Sequence, residues 1–491
     1  MLKVLDPGRW DFTTAAHLLN RAGFGGTPDE IQRLVALGPA KAVSSLVDVE
    51  RIPDPTPNPS WARPDPERLQ RLAALRQASP EQRQQMQREE QQLQRERLLE
   101  LRGWWLERMA KGPRPLQEKM TLFWHGHFAT SFQKVRDAYY MWRQNDLFRR
   151  FGLGNWTRLL VEVGKDPAML IWLDQAQSRR QHPNENFARE LMELFTLGEG
   201  HYTEKDVTEA ARALTGWSLN RQTQEFVYRR AFHDNGVKTI LGRTGNFDGD
   251  DVIRILVAQP QAALFITAKL WTFFAGESPS PELNQALADV FRRNGNEFKP
   301  LLRALFLSEE FYSPHLIRQQ VKSPVQWLAG SVRMLERDLP PAQVCANLLR
   351  TLGQDLFAPP NVKGWDEGFA WISTSTLLAR YNYSALLAEG VMAAGEMANR
   401  PRAMAAGRRM ANRARAGRTG AVDVRKILTD EERRDKTLLL GALQKRLLQS
   451  NLKPKQERAL REYLESKGDL DDDEIRGAMR LIMSTPEYQL T

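Results

Sequence analysis

Apolar residues recur every three to four positions along most of the chain, with polar residues filling the intervals, the pattern of helices that bury one face. The spacing predicts helices over Pro115–Trp124, Asp137–Phe148, Trp156–Val163, Pro167–Asp174, Glu185–Leu197 and Glu204–Thr215, and again over Asp250–Ala258 and Ala262–Phe274. Nearer the start, Gly23-Phe24-Gly25-Gly26 breaks two short helices, and Thr27-Pro28-Asp29-Glu30 restarts one with a cap, a proline at the first position and acids in the first turn. Thr429, followed by Asp430, Glu431 and Glu432, opens the C-terminal helices in the same way. One stretch, Glu225 to Leu241, carries a β pattern. There Phe226-Val227-Tyr228 and Val237 to Leu241 flank Asp234-Asn235-Gly236, and Asn-Gly is a strong turn signal for a hairpin.

Composition divides this helical chain. Residues 1–50 form an N-terminal helical segment, and 51–66 a linker in which six prolines crowd between Ile52 and Pro66. Residues 67–112 are rich in Arg, Gln and Glu and poor in apolar positions at their middle, so they read as a long, exposed helical hairpin whose second arm begins at Ser79-Pro80. A helical core follows over 113–395, then an Arg-rich connection over 396–426 and C-terminal helices over 427–491. The expected fold is mainly α: a large multi-helix body with one small β-hairpin and the helical hairpin as an insertion.

The 491 residues carry a formal net charge of +10, which invites a nucleic-acid reading until the charge is located. Seven arginines and no acid fall between Arg400 and Arg418, in a segment rich in Ala and Gly and without aromatics. A solvated connection is the first reading, and a patch for an acidic partner or a nucleic-acid backbone the weaker one. No apolar run approaches the ~20 residues of a spanning helix, and the start, Met1-Leu2-Lys3-Val4-Leu5-Asp6-Pro7, has no secretory pattern. A cytoplasmic protein is expected, with export alongside a partner left open. Cys345 is the sole cysteine and lies in an apolar context, which excludes an internal disulfide or a thiolate cluster and suggests a small buried residue.

Two of the seven histidines flank one glycine in Phe123-Trp124-His125-Gly126-His127-Phe128. On an extended segment His125 and His127 would share a face, roughly 6.5 Å apart, and suit joint metal ligation. On a helix they would point to opposite sides. Two aromatic-packed rings bonded to backbone is the plainer alternative. In the helix beginning at Asn184, Asn186, Glu190 and Glu193 fall on a stripe bordering the apolar face of Phe187, Leu191, Leu194 and Phe195. Arg189 is placed to pair with Glu185 or Glu193, whereas Glu190 has no partner within the helix and is a candidate ligand or base. His233 beside Asp234 at the hairpin tip is a common ligand pairing, although Asp-Asn-Gly is also what a tight turn demands. Lys363 and Trp365, with Trp371, sit in an irregular loop and either line a ligand pocket or seal the C-terminal helices onto the body.

Several runs taken together resemble the DUF1800 family: His17 to Gly25, Phe123 to Ser131, Asn184 to Gly198, Tyr202 to Trp217, His233 to Gly242, and Pro360 to Trp365 followed by Trp371. The activity of that family is not established, so the resemblance implies no mechanism. It does imply a partner, because genes of the family commonly neighbour those of DUF1501 proteins, which resemble phosphatases and sulfatases. Two expectations follow. The first is a metal-dependent hydrolase acting on a polar substrate such as a glycan or peptide. His125, His127 and His233 would hold a divalent or transition metal ion, Asp234 would add a ligand, Glu190 would serve as catalytic base or ligand, and Lys363 and Trp365 would contact substrate. The second is a non-catalytic helical partner or assembly factor for a DUF1501 protein.

Overall fold

The computed structural model describes residues 2–390 and 420–491. The Arg-rich run from Arg400 to Arg418 lies outside the described residues. The fold is mainly α, 64% helical, with two small antiparallel sheets among the described residues. Capping sets most helix starts. Thr27 and Glu30 form a reciprocal capping box, Asn184 accepts from the Phe187 N–H, and Ser373 and Thr429 cap the helices that follow them.

Buried side chains form two clusters. The first joins the N-terminal helices to the helices between Pro115 and Leu316. The second joins the C-terminal half of the Pro80–Lys111 helix to Pro324–Met334, Ala342–Thr351, Thr374–Glu389 and the C-terminal helices. The Pro115–His127 helix serves both, giving Met120, Phe123 and Trp124 to one and Leu122 to the other. Cys345 is buried, its thiol against the Pro340 carbonyl.

Three sequence expectations change. The β segment is not one hairpin closed at Asn235-Gly236. Trp217–Asn220 (β1) pairs with Glu225–Tyr228 (β2), and Lys238–Ile240 (β3) pairs with Arg243–Gly245 (β4). Leu241 and Gly242, both at positive φ, make the tight turn of the second pair. Asn235-Gly236 lies between the sheets, with the Gly236 N–H given to the Asp234 carboxylate. The helical hairpin is real, Arg68–Gln77 and Pro80–Lys111, but only its outer part is exposed. From Leu98 onward the second arm buries Leu101, Trp105, Leu106 and Met109, because its apolar residues are concentrated in its last four turns. Finally, the Pro115–His127 helix runs through both histidines rather than stopping at Trp124.

Among the described residues no single helix is long and apolar enough to cross a membrane.

Candidate functional site

Helical geometry decides the fate of the paired histidines. Residues two apart on a helix are about 200° apart around its axis, so His125 and His127 face opposite ways. His125 accepts the Phe357 backbone N–H at Nε2 (3.0 Å) and is enclosed by Trp105, Phe357 and Trp365. Burial pushes its pKa down to about 3, so the ring is neutral, as an acceptor must be.

His127 faces a cleft of about 850 Å³. Its Nε2 lies 3.2 Å from the Phe195 carbonyl and its Nδ1 lies 3.4 Å from Lys269 Nζ. Burial, and then Lys269, hold its pKa well below the ordinary imidazole value. The neutral ring therefore donates from Nε2 to Phe195 and presents the Nδ1 lone pair to the lysine. Phe195 belongs to a π-helical turn, Glu193–Leu197, that continues the Glu185–Met192 helix. The carboxylate-bearing helix thus supports the histidine through backbone rather than through a carboxylate.

The Pro115–His127 and Pro260–Ala275 helices run antiparallel along the cleft. Phe273 stacks edge-on to Phe123 at one end, while Lys269 and Phe265 approach His127 at the other. Lys119 lines the Phe273 end. The third wall is the loop carrying Lys363, Trp365 and Glu367. Gly364 lets that loop lie on the helix: at φ +93°, a Cβ added there would sit 2.5 Å from the Gly126 carbonyl oxygen. Glu367 opens onto the solvent of the cleft, yet the protein around it raises its carboxyl pKa, with Lys269 pulling the other way. Amide side chains, among them Gln261, Asn284, Gln326 and Gln354, complete the lining.

Of the residues expected from sequence, His127, Lys363 and Trp365 come together here, and Glu190 lies close enough to feel Lys363. Burial and Glu193 raise the Glu190 pKa, while Arg189 and Lys363 oppose them. The other expected ligands do not join them. His233 donates from Nδ1 to the Thr215 carbonyl (2.9 Å) and packs on Tyr228. Asp234 is held by Arg212 at 2.8 and 3.2 Å, which keeps its pKa below the usual carboxylate value. The expected ion site of His125, His127, His233 and Asp234 is therefore corrected: His125 and His127 face opposite sides of their helix, and His233 and Asp234 are engaged together by Thr215 and Arg212. Among the described residues no three His, Cys, Asp or Glu side chains converge in a way that could hold a metal ion. Arg189 bonds Glu204 through both terminal nitrogens (2.7 Å each) rather than Glu185 or Glu193, and Glu193 accepts from the Tyr202 hydroxyl.

Lys119, Lys269 and Glu367 were not singled out from sequence. One signal was present: Lys269 is the only charged residue in the sixteen-residue Pro260–Ala275 helix, PQAALFITAKLWTFFA. A lone lysine in an apolar helix needs either a snorkelling route or a cavity.

No curated protein and no solved structure matches this chain. A family model described as "Protein of unknown function (DUF1800)" matches residues 17–490, nearly the whole length, and the chain belongs to that family.

Proposed function

We propose that the cleft binds a polar, anionic glycan and that the protein acts on it as a hydrolase: water adds to the anomeric carbon as the glycosidic C–O bond breaks, Glu367 supplies the proton to the departing oxygen, and the proton the water sheds restores Glu367. The carrying observation is the make-up of the cleft: two lysines, Lys269 and Lys363, against one lining carboxylate, flat faces from Trp365, Phe265 and Phe273, and several amide groups. Lysines attract anionic substituents, aromatic faces stack on sugar rings, and amides serve hydroxyls from both sides. Burial raises the Glu367 carboxyl pKa, which favours its protonated, proton-donating form relative to a free carboxyl. The neutral His127 ring, fixed by Phe195, holds Lys269 across the floor and keeps that ammonium directed at the cleft.

The test is calorimetric binding of acidic and neutral oligosaccharides of equal length, followed by reducing-end release. The acidic series should bind more tightly, Trp365→Ala should weaken it roughly tenfold through lost stacking, and Glu367→Gln should keep binding while abolishing release. Equal affinity for neutral and acidic sugars, or indifference to Trp365→Ala, overturns the proposal.

A second reading, docking of a phosphatase- or sulfatase-like DUF1501 protein, is favoured by a different feature. Leu377, Leu378 and Tyr381 share one exposed face of the Thr374–Glu389 helix, with Leu378 59% exposed, and Phe369 just before it is 79% exposed. Co-purification that is lost in a Phe369→Ser/Leu378→Ser double variant supports it; co-purification unchanged by those substitutions rules out this face.

A further inference from the structure

Lys119 occupies the opposite end of the cleft from His127. Eight residues at 1.5 Å rise put the two about 12 Å apart along the helix. Its side chain is buried, 4% exposed, and still lines the cavity. The Nζ donates to one partner, the Gln326 amide oxygen at 2.6 Å, and lies over the rings of Phe24 and Phe273 at 5.2 and 5.5 Å. Among the described residues no carboxylate pairs with it. The adjacent Glu118 faces away, bonded to Arg108 and Arg149. The one charged group that acts on it is Arg21, of like sign, whose guanidinium is taken up by the Phe274 and Leu316 carbonyls and Gln320.

We propose that Lys119 is a nucleophilic amine that forms an imine with a carbonyl-bearing ligand in this cleft. The Nζ lone pair adds to the carbonyl carbon, a C–N bond forms, and the carbonyl oxygen takes up a proton to give the carbinolamine. Loss of that oxygen as water, with both hydrogens that the amine gives up, leaves the C=N bond; no oxidant or reductant is consumed. The surroundings suit each requirement. Burial first, and Arg21 second, bring the amine pKa down to about 7, so the free base is available at neutral pH even though the two rings favour the cation. The Gln326 oxygen fixes the nitrogen without protonating it. Lys269 and Lys363 lack this setting, because Lys269 faces Glu367 and His127, and Lys363 is exposed and near Glu190.

Two ligand sources share the carbonyl chemistry, a 2-oxo acid and an open-chain aldose. The experiment incubates the full chain with pyruvate or with glyceraldehyde in the presence of cyanoborohydride, which reduces an imine to a stable secondary amine, and maps the adducts by peptide mass spectrometry. Lys119 should carry at least tenfold more adduct at pH 7 than the average exposed lysine, and its labelling should reach half-maximum near pH 7. Adduct with pyruvate alone assigns the oxo acid, with glyceraldehyde alone the sugar, and with both the general carbonyl site. Lys119→Arg should remove that adduct and leave the other sites as they were; the wild-type map decides even if this variant folds poorly. Labelling of Lys119 no greater than that of exposed lysines, or a profile that climbs toward pH 10 as theirs does, overturns the proposal. The readout is the amine itself, so its failure is separate from any failure of acidic glycans to bind.

Discussion

His125 and Asp166 are two buried titratable groups whose burial acts in opposite directions with pH. The neutral His125 ring accepts the Phe357 N–H and fills an aromatic enclosure. Its folded pKa of about 3 lies below the unfolded value of 6.5, so the unfolded chain binds the extra proton between those values. Its contribution is complete above pH 6.5 and is lost as the pH falls toward 3. His125→Ala should cost about 3 kcal/mol at pH 7.5, from the cavity and the orphaned N–H. By pH 4.5 the gap between the two proteins should narrow by about 2–3 kcal/mol, read from urea midpoints at each pH. Asp166 caps the Pro167–Trp172 helix through the Met169 N–H and accepts from Gln144, but burial raises its pKa to about 7. Its folded value lies above the unfolded one, so stability is full below pH 3.8 and is lost as the pH rises through 7. Asp166→Asn should therefore gain on wild type by a few kcal/mol between pH 4 and pH 8. A parallel pH dependence in the two proteins would contradict the buried-carboxyl account.

Secondary-structure elements were legible where local chemistry set them. Thr27, Asn184 and Thr429 all cap as their side chains dictate, because a cap is decided within three residues. Strand partners were not legible. Asp234-Asn235-Gly236 has the composition of a hairpin turn, yet Arg212, on the neighbouring helix, pairs with Asp234, and each flanking strand finds its own partner. At this scale Gly364 offers the sharpest test. Gly364→Ala must either adopt positive φ with a side chain or move the loop off the Gly126 carbonyl. The expected result is about 1–3 kcal/mol lost, with faster hydrogen exchange over residues 359–371 and weaker ligand binding. Unaltered exchange in that loop would show that the close approach is dispensable.

At the level of the whole molecule, a single buried carboxylate ties four segments together. Glu118 accepts from Trp105 Nε1 (2.9 Å), from Arg108 Nε (2.7 Å) and from two nitrogens of Arg149 (2.8 and 2.9 Å), while Arg108 also pairs with Asp54 in the proline-rich strap. Burial alone would raise its pKa; Arg149 and Arg108 outweigh that and hold it below the usual value. Glu118→Gln leaves two buried guanidinium groups without their shared anion and should cost about 3–5 kcal/mol, lowering the denaturation midpoint of the whole body. The difference should fade as the pH drops below the ordinary carboxylate range, where wild type loses the same charge. A difference that does not shrink at all between pH 6 and pH 3 would point to packing instead.

The linear sequence determined what depends on near neighbours: the helical class, the helix caps, the proline-rich strap, the buried Cys345, and the family runs, two of which, at Phe123 to Ser131 and Pro360 to Trp371, contribute to the cleft wall. Tertiary structure alone decided which faces meet. His125 and His127 sit two positions apart, yet one holds up the Phe357 turn and the other opens onto the cleft, because a helix turns about 100° per residue. Lys119, Lys269 and Glu367 are distant in the chain and unremarkable by type. What makes them chemically distinctive is a shared cavity, in which Lys119 is buried without a carboxylate partner while Lys269 and Glu367 act on each other, and an environment of that kind exists only once separate helices have packed.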